Sequence, residues 1–221
     1  MEDTNETISR QLDYIARLEA ESPEGRLGVW PTLFHTPRTV GSPKLDSHLL
    51  GLTARPHARG KALDAFTGSG AVAAWYADQV ESVSIWDINS HALKFAAEKL
   101  KKICKIVQPL QDEQLVRSFG EYHTITANPP YTSRSATTNS ERVCFDPNHT
   151  GTKSFIYILP ELLASDGKAF LSWVSYADFD LLETWINQAG ELEWEIASTI
   201  REPAAEPSGN MTEFRVYQVS R

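Results

Sequence analysis

Residues 125–133 read ITANPPYTS, and Asn128-Pro129-Pro130-Tyr131 carries the clearest chemistry in the chain. Proline has no N–H for a sheet ladder and fixes its own φ, so the pair ends the apolar run before it and freezes the backbone there. The Asn128 carboxamide oxygen and the next backbone carbonyl, that of Pro129, can each accept a hydrogen bond from a planar –NH2 group, while the Tyr131 ring stacks on its face. Asn128, Pro129 and Tyr131 would then do the chemistry, with Pro130 and Tyr131 against the acceptor. A strand stopped by a Pro-Pro turn with no chemical role is the alternative that these four residues leave open.

Upstream, ALDAFTGSGAVA sets Gly68 and Gly70 between an apolar strand and an Ala-rich helix. Such a turn brings the backbone close to a ligand and points helix N-terminal N–H groups at it. Ala73 stands where a dinucleotide fingerprint would have its third glycine, and no Gly-Lys-Ser/Thr follows, which argues against Walker-type phosphate binding. A tight βα turn without a ligand accounts for the two glycines equally well. The next strand, SVSIWDIN, ends in Asp87, about twenty residues past the loop, where Rossmann-like sheets hydrogen-bond a ribose diol. Its other reading is the N-cap of NSHALKFAAEKL, which Asn89 or Ser90 can also provide.

Taken in order, LDAFTGSG, the strand-ending Asp87 and NPPY resemble a class I S-adenosylmethionine-dependent methyltransferase over residues 61–221. The resemblance implies a Rossmann-like seven-stranded α/β sheet, mostly parallel, with an antiparallel C-terminal hairpin, one reversed strand at its end and helices on both faces. It implies that Asp64, Phe66, Gly68, Ser69 and Gly70 surround the methionine moiety of S-adenosyl-L-methionine, and that Asp87 and Ile88 hold the ribose and adenine. Asp112 would take the adenine amino group, a place that Gln111 or a plain helix cap also fits. Asn128 would accept from the acceptor –NH2 beside the cofactor and leave the nitrogen lone pair aimed at the sulfonium methyl. In the resembling families such corners act on the glutamine amide or on the exocyclic amines of adenine and guanine.

Within that group, LFHTPRTVGSPKLDSHLL is similar to the segment that release-factor glutamine methyltransferases carry before the cofactor loop. By that resemblance Thr36, Pro37 and Arg38 line the substrate side, although Arg38 also reads as a surface arginine. Two features depart from the pattern: the N-terminus is much shorter than the family's substrate-binding bundle, and only CFDPNHTGTK follows the NPPY loop where the family has a glutamate-rich segment.

The acidic balance, a net charge of −8 over 221 residues, repels polyphosphate and favours a protein glutamine or a small molecule as methyl acceptor over nucleic acid. An adenine or guanine N-methyltransferase remains the rival enzyme, and a non-catalytic binding partner on the same fold the rival of another class. KLKKICK, residues 99–105, reads as a solvated helix face. The two cysteines and six histidines show no metal-ligand spacing, so no metal is expected. Few cysteines, an acidic N-terminus unlike a signal or transit peptide and no membrane-length apolar run point to a cytoplasmic address and no membrane partner.

These groups need elements to position them. A helix through Ile8, Leu12, Ile15 and Leu18 and a Pro-rich arm to Pro43, carrying Trp30 and Phe34, form an N-terminal part, 1–58, packed on a core domain, 59–221. Leu45, Leu49 and Leu52 restore helical spacing before the core. Alternating patterns predict strands at 61–66, 82–87, 104–110, 122–130 and 168–175, helices at 70–78, 89–102, 111–118, 152–164 and 178–189, and two tail strands at 192–202 and 211–221. Residues 132–142 read as a mobile loop, within a lid at 132–152 that orders over the acceptor. Trp173 and Tyr176 read as packing residues before a platform, and Asp146 and His149 as solvated loop residues before a proton acceptor.

Overall fold

A computed structural model describes residues 45–118, 120–135, 145–203 and 211–221. The N-terminal helix, the Pro-rich arm with Thr36, Pro37 and Arg38, and residues 136–144 of the expected lid lie outside the described residues.

Seven strands form one sheet in the order β3-β2-β1-β4-β5-β7-β6. They are β1 (Lys61–Ala65), β2 (Ser82–Trp86), β3 (Val107–Leu110), β4 (Tyr122–Ala127), β5 (Leu163–Val174), β6 (Glu193–Pro203) and β7 (Met211–Ser220). β1 and β4 sit at the centre, and their near-continuous burial explains why KALDA and YHTITA lack a polar face. Parallel pairing runs from β3 through β5, and β7 is antiparallel to both β5 and β6. The reversed strand expected at the end of the sheet therefore lies inside it, and β6 forms the outer edge. This is the mostly parallel, Rossmann-like sheet with a C-terminal hairpin.

Helices α1 (Leu45–Ala54), α2 (Ala71–Ala74), α3 (Ser90–Leu100), α4 (Glu113–Ser118), α5 (Thr150–Leu162) and α6 (Phe179–Gln188) surround it. α2 packs on α1 and α3, and α5 packs on α4 and α6. Two expectations need correction. The helix predicted over 70–78 is one short turn of α-helix followed by turns. β5 starts at Leu163, directly after α5 rather than at 168, and a register shift against β4 between Tyr122 and Thr124 takes up the extra residues. Gly167 sits at that irregularity, where a Cβ would come within 2.7 Å of the Tyr122 carbonyl oxygen.

Register decides what the sheet presents. Ala65 pairs with Trp86 on one side and Ala127 on the other, Trp86 pairs with Leu110, and Ala127 pairs with Leu171. The residues that follow β1 to β4, Phe66, Asp87, Gln111 and Asn128, thus leave the sheet along one carboxyl edge, beside Ser172 of β5, which is still paired with Val216 of β7. The strand order reverses between β1 and β4, the place where open α/β sheets bind ligands.

Candidate active site

The glycine loop leaves β1 with Phe66 in the left-handed region, φ 57°. Its ring packs on Trp86 and Phe155. Thr67 N–H donates to the Trp86 carbonyl at 3.1 Å and Gly70 N–H to the Thr67 carbonyl at 2.8 Å, closing the turn. Gly70 has φ 80°, and a Cβ there would lie 3.0 Å from the Ala96 methyl, so both backbone conformation and packing against α3 demand glycine. Gly68 differs: at φ 51°, a Cβ would meet nothing nearer than 4.0 Å. The space beside Gly68 is open toward the edge, while Ser69 is buried.

Asp64 and Asp87 hold this loop from two strands. Asp64, 1% exposed, accepts from the hydroxyls of Thr67 at 2.6 Å and Thr126 at 2.7 Å. Burial pushes its carboxyl up to about 7, against the pull of those hydroxyls and the Ala73 N–H. Asp87 accepts from Gly68 N–H at 2.9 Å and from Asn89 N–H at 2.8 Å. Burial raises its carboxyl too, opposed by those two backbone bonds. Asn89 caps α3 through His91 N–H, which removes the capping reading of Asp87. Ile88, 51% exposed, offers an apolar side chain beside Asp87. Asp112 is exposed at the start of α4, where its carbonyl accepts from Val116 N–H at 3.2 Å. Gln111 reaches the Ile88 carbonyl at 3.5 Å. An open glycine, a strand-end carboxylate and an exposed apolar side chain on one edge are the parts a nucleoside with a small charged tail requires.

At the end of β4, Pro129 is buried and Asn128 and Tyr131 are half-buried. Asn128 Nδ2 donates to Asp46 Oδ2 at 3.1 Å and to Ser47 Oγ at 3.0 Å, both on α1. Its Oδ1 accepts from the Tyr131 hydroxyl. That hydroxyl also meets Asp46 Oδ2 at 2.9 Å and Ser172 Oγ at 2.8 Å. Burial first, then the neighbouring Asp46 charge, hold the Tyr131 phenol well above its ordinary range, so it keeps its proton. The ring stands among Trp173, Tyr176 and Phe214, with centroids 5.7, 6.3 and 6.2 Å away. Trp173 is a core residue as expected, whereas Tyr176 is 64% exposed at the rim.

Asp146 and His149, expected in a solvated loop, are both buried. Asp146 accepts from Gly151 and Thr152 N–H and from the Thr152 hydroxyl, anchoring the start of α5. His149 wedges between Trp173 and Trp185, and burial lowers its imidazole below the ordinary range. The two flanks of the expected lid meet where Thr132 bridges Phe145 and accepts from Asp146 N–H at 2.9 Å. Sequence reasoning missed Asp46, Ser47 and Ser172. The signal was present as polar residues in apolar surroundings, LDSHLLGL and FLSWV, but neither names its partner. Among the described residues no group of His, Cys, Asp and Glu is placed to hold a metal ion, and no helix is long and apolar enough to cross a membrane.

By sequence, residues 41–145 match the methyltransferase small domain family. No curated protein matches the chain by sequence. Similar solved structures include precorrin 8w decarboxylase from Methanobacterium thermoautotrophicum, with 15% identity, 84% of this chain and 96% of that one covered, and a TM-score of 0.58. Another is ribosomal protein L11 methylase from Lactobacillus delbrueckii subsp. bulgaricus, with 18% identity, 80% of each chain covered and a TM-score of 0.53. A third is SMU.776, described as a methyltransferase and complexed with SAH, with 12% identity, 80% of this chain and 50% of that one covered, and a TM-score of 0.57. At these identities the likeness is one of fold.

Proposed function

Because residues 41–145 carry a methyltransferase small domain on a methyltransferase fold, we propose that this chain transfers a methyl group from S-adenosylmethionine to a planar nitrogen, a glutamine-type amide of a protein or an amide or amine of a small molecule. S-adenosylmethionine is the cofactor. When bound, it supplies a methyl group on a positively charged sulfur. Asp87 would hold the ribose hydroxyls, Ile88 the adenine face, Asp112 the adenine amino group, and the Gly68 side of the loop, with Asp64, Phe66, Ser69 and Gly70 behind it, the methionine end.

The observation that carries the nitrogen reading is a shortage of hydrogens at the corner. Three oxygens, Asp46 Oδ2, Asn128 Oδ1 and Ser172 Oγ, surround the Tyr131 hydroxyl, and only Tyr131 and Ser172 bring hydroxyl protons to those three contacts. Both Asn128 Nδ2 hydrogens are already engaged by α1. A group that donates N–H bonds suits such a corner. Asn128 Oδ1 and the Pro129 carbonyl would accept both –NH2 hydrogens, which keeps the nitrogen lone pair out of the amide plane and free to attack. As the N–C bond forms, the C–S bond breaks and its electron pair stays on sulfur. The two acceptors stabilise the positive charge growing on nitrogen, which then loses one proton to water. Arg38, Pro130 and Tyr131 are assigned to the substrate side on the same reading.

The test incubates the protein with isotopically methyl-labelled S-adenosylmethionine and separated peptide, nucleic-acid and metabolite fractions, and locates the label by mass spectrometry. A labelled methyl on an amide or amine nitrogen is the expected result; a label on carbon or oxygen overturns the reading.

A further inference from the structure

We propose that Asp46 is a positioning residue of the acceptor corner: its carboxylate fixes which way the Asn128 carboxamide faces and holds the Tyr131 hydroxyl, so that the Asn128 oxygen is turned toward the acceptor side. The purpose assigned to Asp46 rests on the nitrogen-methylation reading; its geometry does not.

The two ends of a carboxamide are nearly the same size, and their partners decide which is which. Here Nδ2 has two acceptors on α1, Asp46 Oδ2 at 3.1 Å and Ser47 Oγ at 3.0 Å. A flipped amide would set Oδ1 against a carboxylate oxygen with no hydrogen between them. Ser47 alone fixes nothing, because a hydroxyl donates as readily as it accepts. Asp46 is thus the group that makes one orientation far better than the other, through a charge-assisted bond. The carboxylate is itself well placed. Leu49, Leu50 and Ala54 bury α1 in the core, Gly51 lies flat against the Trp75 ring, and Trp75 Nε1 donates to His48 Nδ1 at 3.3 Å. Asp46 is buried, and its Oδ1 has no partner among the described residues. A carboxylate oxygen left in that state points to a role other than stability.

Asp46 also stands in the first turn of α1, where a negative charge favours a helix electrostatically. D46N separates the two roles. It removes the charge but can keep an oxygen at the Oδ2 position, whereas D46A removes both. The readout is the Asn128 side-chain NH2 pair in 15N-edited NMR spectra, identified as the pair missing from Asn128→Ala. In D46A the pair should move toward free-amide shifts and exchange with solvent about tenfold faster or more, the scale of one lost hydrogen bond to a charged group. In D46N it should stay near its position in the parent. Should D46A fail to fold, Asp46→Ser, too short to reach Asn128, takes its place. An unmoved pair in D46A or Asp46→Ser, or D46N behaving as D46A does, overturns the proposal. With whichever fraction accepts the methyl, D46A should lower kcat by about a hundredfold while KM for S-adenosylmethionine stays within about threefold, and D46N should recover most of the rate. The amide measurement needs no acceptor, so it decides Asp46 even where nitrogen methylation is overturned.

Discussion

In the glycine loop, carboxylates grip nearby backbone and hydroxyl groups: Asp64 takes Thr67 three residues on, and Asp87 takes Gly68 and Asn89. At the Asn-Pro-Pro-Tyr corner, Asn128 and Tyr131 meet each other and then side chains from 41 to 85 residues away, Ser172 on β5 and Asp46 and Ser47 on α1. One half is a turn gripped by acids at the ends of β1 and β2, with Thr126 of β4 also among their partners. The other is an assembly, whose geometry exists only once α1, β4 and β5 are packed. On the proposed function, the first would take the cofactor and the second would select the acceptor.

If the halves are separable, a change at one should leave the other working. Asn128→Ala removes the acceptor oxygen but not the proline-fixed backbone or the loop contacts of Asp87. Methyl transfer in a single turnover should fall by about a hundredfold or more, with cofactor affinity nearly unchanged. A rate within about threefold of the parent would reduce the corner to a structural turn. The reciprocal change is Asp87→Ala, which should weaken S-adenosylmethionine binding by about 1.5–3 kcal/mol, roughly ten- to a hundredfold. Calorimetric titration checks this. Unchanged affinity would remove Asp87 from the cofactor site.

The difference between the halves is also the difference in what the sequence discloses. ALDAFTGSG and SVSIWD carry their spacing within single strand-turn units, so the loop, Asp87 and the strand pattern are readable from periodicity and turn chemistry. The α2 region misleads because Ala-rich AVAAWYA has helical propensity, yet Trp75 and Tyr76 are drawn into the core and the helix stops after one turn. At the corner, NPPY is legible but its partners are not. Nothing local to LDSHLL says that Asp46 lies within bonding distance of residues 128 and 131; only the register that aligns Ala65 with Ala127, and the seat of α1 on Trp75, bring them together. His149 shows the same limit, since its burial follows from Trp173 and Trp185, which lie in other elements.

α1 is where the separation can be broken. A Cβ on Gly51 would lie 2.1 Å from Trp75 Cδ1, in the C-cap residue of α2, the helical turn after the glycine loop. Gly51→Ala must shift either α1, with Asp46 and Ser47, or Trp75, with the loop. Overpacking of this kind costs about 1–3 kcal/mol, read as a lower denaturant midpoint at unchanged slope. An unchanged midpoint would mean that α1 is loosely seated and cannot position the corner.

A last test asks whether the loop is held by a buried acid, and it is read from pH. Asp64 goes from an ordinary carboxyl value of 3.8 to about 7 in the folded chain, mainly through burial. A raised folded value means that the native state binds the proton more tightly than the unfolded one, so the contribution is present at low pH and is lost as pH rises toward 7. Between those values stability should fall with pH by at most about 1.4 kcal/mol per unit from this group. Asp87 acts with the same sign and Glu213, whose value is lowered, with the opposite one, so the total curve alone cannot isolate Asp64. Asp64→Asn can. The parent-minus-variant difference in urea unfolding should decline from about pH 5 to about pH 7 and then level off. A neutral carboxyl still accepts from one threonine and donates to the other, so the turn survives the titration and the change appears in stability. A difference that stays flat with pH would mean that Asp64 is ionised throughout, and the glycine loop would then rest on a buried charge instead of a buried acid.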